Sequence, residues 1–395
     1  MAAIMSIFSR ELIFTAFLWL FVLATLVQVF YAILVWYVFS IKPAPGNKPP
    51  ISLPGVTVII CARNEAPNIR VNLPGILAQQ YSGPWELIVV NDASEDETLA
   101  VLQEFALENG RLKIVSIDSK NHPGKKMALA EGIKKAEYAL LLFTDADCQP
   151  VSKHWISRML APLSLDQQKE MVLGFAPMDT SEPGLLNRWT RFETIATAMQ
   201  YFTLATLGNP YMGVGRNLAI RKSVYTRAGG FDSHLHIASG DDDLLVNAAA
   251  TSKNTSCIYH PETFVYSKGK SSWKAWFRQK KRHLSAGNAY KVTDKILLAV
   301  ISLSLVLHYA LFVGLLICGY ETWIVFALWC MRQLVMLIMY RKVFWVLKDK
   351  SLFMHYLMFD FMLAFYLGTL VPLFLMLKSD NKWTPNRAKL FTGFT

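Results

Sequence analysis

Residues 138–147 read YALLLFTDAD, an unbroken apolar run that ends in two acids one residue apart, Asp145 and Asp147. A short apolar run closed by a polar turn is the pattern of a strand buried on both faces. Carboxylates are costly to bury unless something pairs with them, so this strand must emerge where a cation or solvent meets the two acids.

The same plan occurs twice upstream. GVTVIICARNE (55–65) is a strand followed by a polar turn and a helical pattern. WELIVVNDASEDET (85–98) repeats it, with a strand at 86–90, then Asn91-Asp92, then Ser94 and Glu97 at capping-box spacing. Strands alternating with longer helical patterns predict an α/β domain with a mainly parallel sheet. Ligands of such sheets bind at the carboxyl ends of the strands, so Asn64 and Glu65, Asp92, and Asp145 with Asp147 are expected to converge on one crevice. Asp92 carries weight because its strand is expected beside the one bearing Asp145, whereas Asp96 is assigned only to a helix start. A D-x-D pair just past a strand suits Mg²⁺ or Mn²⁺, hard ions that take carboxylate oxygens and complete their shells with phosphate oxygens.

Further clusters follow in order. NHPGKKMALAEGI (121–133) sets Gly124, Lys125 and Lys126 before a helix. It lacks P-loop spacing, but a Gly-Lys turn brings an ammonium to a nucleotide, and one of the two lysines is expected to be a solvated surface residue. YMGVGRNLAIRKSVYTRAGGF (211–231) contains Gly213, Gly215 and Asn217, and SGDDDLLVNAAA (239–250) opens a helix with three acids that repel one another unless one faces a cation or acts as a base. SSWKAWFRQKKRHLSAGNAY (271–290) reads as an interfacial amphipathic helix on which Gln279 and Arg282, three apart, share a face, and Arg282 is suited to pair with phosphate.

Around this domain the composition is that of a membrane protein. The chain has 395 residues, 53% of them hydrophobic. Residues 12–38 carry no charge and as a helix would extend about 40 Å, enough to cross a bilayer of roughly 30 Å. Three more apolar stretches lie at 296–318, 322–340 and 351–377. The organisation expected is a transmembrane anchor at 1–40, a Pro-rich linker at 41–54, the α/β domain at 55–270, the interfacial helix at 271–295, membrane helices at 296–378 and a basic tail at 379–395. The formal charge of +11 clusters beside the spans and suits anionic membrane lipids; no nucleic-acid motif accompanies it. The five cysteines show neither disulfide nor zinc spacing. From the basic loop 341–350 the α/β domain is expected in the cytoplasm, at the plasma or inner membrane, although a basic tail after three further crossings runs against the same rule. Arg332 and Asp360, midway along their spans, are expected to pair or to line a polar path.

With these clusters assembled, residues 55–290 resemble the membrane-bound inverting family 2 glycosyltransferases of the GT-A fold, the group that includes cellulose, chitin and hyaluronan synthases and ceramide glucosyltransferase. NDASED, TDAD, SGDDDLLVN and QKKRH match in order. The resemblance implies a nucleotide-sugar donor, a UDP-sugar, and a polysaccharide or lipid acceptor. It implies Asp242 as the base, Asp145 and Asp147 at the metal, and Arg282 with Gln279 at the leaving diphosphate. Asn64, Glu65, Asp92, Lys125 and Asp145 are placed on the nucleotide, and Gly213, Gly215, Asn217, Asp241 and His283 on the sugar or acceptor side. His283 stands where the family has Trp, which implies weaker acceptor stacking and short products; the anionic phosphates of a bound donor are expected to favour its protonated form. The alternatives are an inactive homologue acting as a membrane subunit of a polysaccharide synthesis complex, or a small-molecule transporter, for which a four-span bundle without an inverted repeat is ill suited.

Overall fold

The computed structural model describes residues 2–41, 53–118, 124–237 and 239–376. The linker expected at 41–54, apart from its ends, and the tail expected at 379–395 lie outside the described residues. Among the described residues two compact units form, one from residues 2–41 and 291–376 and one from residues 53–290. The first helix, α1 (Ala2–Ser40), belongs to the former.

In the middle unit β1 (Val56–Ala62), α2 (Ala66–Leu77), β2 (Trp85–Asp92), α3 (Thr98–Glu108), β3 (Leu112–Ile117), α4 (Lys126–Lys135) and β4 (Leu140–Asp145) alternate as the pattern predicts. Beyond them come β5 (Cys148–Pro150), α5 (Trp155–Leu165), β6 (Met171–Leu173), α6 (Leu185–Thr206), β7 (Leu218–Arg221), α7 (Lys222–Arg227), α8 (Asp243–Ala249), β8 (Thr255–Cys257), β9 (Val265–Ser267) and α9 (Trp273–Gly287). The seven-stranded sheet runs β3-β2-β1-β4-β7-β6-β8, with β5 and β9 apart as a pair. Strands β3, β2, β1 and β4 are parallel, so their carboxyl ends share one edge. Every residue of β2 is buried, because helices cover both faces of a parallel sheet and β2 is apolar through Val90 except at Glu86, whose carboxylate pairs with Lys113 at 2.6 Å and accepts from Thr57. On one face Val58 and Ile60 pack with Ile69, Leu73 and Ile76 of α2 and with α5. On the other, α4 comes close at Gly132, where a β-carbon would lie 2.9 Å from Ile59. That approach sets the start of α4, with its two lysines, over the carboxyl edge.

Two expectations are corrected. The strand of Asp92 does not neighbour that of Asp145, because β1 pairs with both and lies between them. The capping box does not form: α3 begins only at Thr98, and the Ser94 hydroxyl accepts from the Asn64 amide instead. The amphipathic α9 also packs on the α/β unit through one of its faces. Trp276 is buried edge-to-face against Trp189 of α6, and Lys280 pairs with Glu193 on the same helix.

In the other unit α1 joins α10 (Val292–Ile317), α11 (Thr322–Val346), α12 (Tyr356–Phe365) and α13 (Val371–Met376). Four helical segments among the described residues are long and apolar enough to cross a membrane: Glu11–Ser40, Val292–Ile317, Thr322–Val346 and Lys350–Phe374. The last is composite, with a 3₁₀ stretch at Lys350–His355 and a π turn at Tyr366–Leu370. Arg332 of α11 and Asp360 of α12 pair at 2.5 Å, with 0% and 2% of their side chains exposed. Gln28 of α1 accepts from Arg332 at 3.1 Å and donates to Ser304 of α10 at 2.8 Å, so the network reaches four helices.

Candidate active site

At the carboxyl edge the loops after β1 and β2 are joined. Asn64 takes up a left-handed backbone (φ 54), which Asn tolerates better than most residues. Its amide donates to Ser94 Oγ at 3.1 Å and its Oδ1 accepts from the Glu95 amide at 2.7 Å. The Glu65 amide donates to Thr98 Oγ1 at 2.8 Å, and Asp96 accepts from the amides of both Thr98 and Ala66. Asp96 is therefore at the helix start, as expected, and also closes this seam. The Asn64 side chain serves the seam, whereas the Glu65 carboxyl faces the D-x-D pair. Burial raises its pKa to about 7, against the Asn68 hydrogen bond and helped by Asp147 and Asp145. Asp92 is buried at the end of β2, close enough to Cys61 to help raise that thiol, after burial itself.

Asp145, at the end of β4, meets its cation in Lys125, whose Nζ lies 2.7 Å from Asp145 Oδ1 and 3.1 Å from Asp241 Oδ2. Burial works to raise Asp145, but Lys125, then Arg216 and Arg282, outweigh it and hold the carboxylate below its ordinary range. Asp147 is pushed the other way by burial and by the Asp145 charge. Ligand atoms of Asp145, Asp147 and Cys148 lie within 4.8 Å of one another. The Cys148 thiol, raised by burial, donates to Asp147 at 3.4 Å. That leaves carboxylate oxygens as the ligands, and two of them in mutual repulsion fit a hard divalent cation.

The three acids after Gly240 do not stand unpaired. Asp241 faces Lys125. Asp242 accepts from the Gly215 amide at 2.5 Å and from the Asp243 amide at 2.9 Å. Gly215 permits this, because a β-carbon there would crowd the Asp242 carboxylate at 3.1 Å. Burial and then Asp241 raise Asp242 to about 6, against Lys125 and the two amides. Asp243 accepts from the Tyr290 hydroxyl at 2.6 Å, while burial and then Asp242 raise it to about 7. Cys61, Lys125, Asp145, Gly215, Asp241 and Asp242 line one pocket.

Arg282 of α9 is lowered by burial, with Asp241, Asp145 and Asp242 opposing. Gln279 is partly buried on the same helix face. The anions expected beside His283 are the phosphates of a donor, and the protein's own charges around it are of the other sign. Crowding by the surrounding protein and then the charges of Arg282, Lys280, Arg216 and Lys270 push the imidazole below its usual value, although the residue itself keeps an exposed surface. Asn217 is wholly buried, and its amide holds Trp155 and the carbonyls of Phe175 and Thr263. Gly213 is packed against Leu173 and Val246. Both therefore lie behind the crevice wall. Neither lysine of the Gly-Lys-Lys turn is a solvated surface residue, since Lys126 is 1% exposed and the partly buried Lys125 is held by Asp145 and Asp241. Sequence reading missed Arg216, Lys270 and Tyr290. Arg216 and Tyr290 lie inside stretches already singled out, Lys270 abuts one, and none of the three has motif spacing.

Residues 54–286 match the family model described as "Glycosyltransferase like family 2". A probable glycosyltransferase, YdaM, of Bacillus subtilis is 29% identical over 61% of this chain and 56% of its own length. A poly-beta-1,6-N-acetyl-D-glucosamine synthase of Staphylococcus epidermidis is 32% identical over 28% of this chain and 27% of its own. The chain thus spans about half, or less, of the length of these curated relatives. Among solved structures, the mannosyltransferase PcManGT from Pyrobaculum calidifontis, in complex with GDP-Man and Mn²⁺, superposes with a TM-score of 0.54 at 19% identity. That match covers 91% of this chain and 99% of the other, and the shared fold is GT-A, the one the resemblance implied.

Proposed function

The chain belongs to glycosyltransferase family 2, and from that premise we propose that it is a membrane-integrated inverting transferase moving a sugar from a nucleotide-sugar donor, a UDP-sugar, to a polysaccharide or lipid acceptor. One observation carries the reading. Lys125 bonds Asp145 of the D-x-D pair and Asp241 of the acidic cluster together, which sets the metal acids and the base beside one another in one crevice.

In this reading Asp242 takes the proton of the acceptor hydroxyl as that oxygen attacks the anomeric carbon, a role worth about 10²- to 10⁴-fold. Its two oxygens are aimed by the Gly215 and Asp243 amides, and its raised pKa suits a base working near neutrality. Arg282, with Gln279 beside it, faces the charge that develops on the departing diphosphate. Lys125, Asp92 and Glu65 hold the nucleotide side, and Asp241 and His283 the sugar or acceptor side. Asp145 and Asp147 would hold Mg²⁺ or Mn²⁺, which when bound neutralises phosphate charge. The relative named as a polysaccharide synthase supports a polymer acceptor, while His283 in place of Trp supports short products or a lipid. The α/β unit is assigned to the cytoplasm, at a plasma or inner membrane, from the basic loop at 341–350. An inactive subunit is the lesser reading, because base and metal acids are all present.

The test is purified protein in detergent, a panel of nucleotide sugars with Mg²⁺ or Mn²⁺, and assay of released nucleoside diphosphate. Release from one donor that Asp242→Asn abolishes supports transfer. Silence on every donor, with and without lipid, supports the subunit.

A further inference from the structure

Lys126 has no role in the chemistry above, yet only 1% of it is exposed. Its ammonium donates to three main-chain carbonyls, those of His234 at 2.7 Å, Ile237 at 2.8 Å and Ser239 at 2.7 Å. An ammonium has three donors and no acceptor, so these bonds saturate it. Three carbonyl dipoles aimed at one point repel one another unless a cation sits between them. The turn they belong to passes through Gly240, whose φ of +87° reverses the chain, directly into Asp241 and Asp242. One residue earlier Lys125 bonds the Asp241 side chain itself. The start of α4 thus grips the acidic cluster twice, by its carboxylate and by its backbone. Burial lowers the Lys126 pKa to about 8, and Asp241, Asp243 and Asp242 oppose that fall, so the ammonium is still the main form at neutral pH.

We propose that Lys126 is a positioning residue for sugar transfer, binding the main-chain carbonyls of His234, Ile237 and Ser239 and so fixing where Asp241 and Asp242 stand against Lys125 and Asp145. The proposal rests on the transferase reading above. Misplacing a catalytic group by about 1 Å costs on the order of 10²-fold in rate, while the donor keeps its own contacts to the D-x-D pair and α9.

The experiment compares the full chain in detergent with Lys126→Met and with Lys126→Gln, which keeps neutral N–H donors, by turnover, donor calorimetry and hydrogen exchange. For Lys126→Met, kcat should fall about 10²-fold while the donor Kd stays within about threefold. Exchange should quicken across 232–243 and stay unchanged in β1 and β2. Lys126→Gln should fall between parent and Met, and it carries the comparison if Met does not fold. Parent-like exchange at 232–243 overturns the proposal, as does a loss of donor binding with faster exchange throughout the sheet. If the parent releases nucleoside diphosphate from no donor, the transferase reading fails, while exchange at 232–243 still reports separately on Lys126.

Discussion

Replacing Asp360 with Asn keeps its shape and removes a charge from the middle of the helical unit. The carboxylate accepts from Arg332 Nη1 at 2.5 Å and Nη2 at 3.4 Å, from Tyr309 at 2.7 Å and from Tyr340 at 3.1 Å. Its loss leaves the Arg332 guanidinium wholly buried with the neutral Gln28 carbonyl oxygen as an acceptor, and arginine cannot discard its proton. Breaking a buried pair in this way costs about 3–5 kcal/mol. Arg332→Met is not the mirror image. The stranded carboxyl can take up a proton and keep both tyrosine bonds, so its cost should be about 1–3 kcal/mol. The double variant Arg332→Met/Asp360→Asn removes both charges and should recover at least about 2 kcal/mol relative to the sum of the singles. Denaturant unfolding of the full chain in micelles, read by tryptophan fluorescence, gives all three values. If Asp360→Asn costs less than about 1 kcal/mol, or the singles simply add, the pair does not hold the bundle as argued.

Asp147→Ala should abolish metal-dependent donor binding in calorimetry, whereas Asp242→Asn should bind donor like the parent and lose about 10²- to 10⁴-fold in transfer. Turnover at saturating donor should rise with pH through about 6, because Asp242 acts only when deprotonated; a flat profile from pH 5 to 8 would argue against it as the base. By linkage, a carboxyl raised in the fold contributes stability below its ordinary pKa that is lost as pH rises through about 6, so unfolding midpoints should fall over that window. His283→Trp should lengthen products measured by mass spectrometry, and long polymer from the parent would remove the basis for the prediction.

The sheet was legible because its strands are short apolar runs closed by polar turns, a signal that depends only on local sequence. Strand order was not, since nothing in GVTVIICARNE says that it threads between the other two runs. The position of β1 reflects which faces α2 and α4 cover. Among site residues, acids at strand ends could be read from the sequence, but Arg216 and Lys270 come to the crevice only through β7 and the turn after β9. Asn217 shows the converse. Its Gly-x-Gly neighbourhood suggested a ligand loop, and the amide turned inward because Trp155 and two carbonyls needed a partner that no local pattern announces.

The crevice holds charges of both signs under opposite pressures. Burial and Asp145 raise Asp147, which favours its neutral form, while burial lowers Lys270 and Arg282 despite the acids near them. A bound group that brought only negative charge would ease the cations and worsen the acids, and a lone divalent ion would do the reverse. A diphosphate that travels with its divalent cation offers both signs a few ångströms apart, with the cation toward Asp145 and Asp147 and the anion toward Arg282 and Lys270. Donor and metal should therefore bind with positive coupling. Calorimetry with each alone and both together tests this, and independent affinities would show that the two signs are balanced within the protein already.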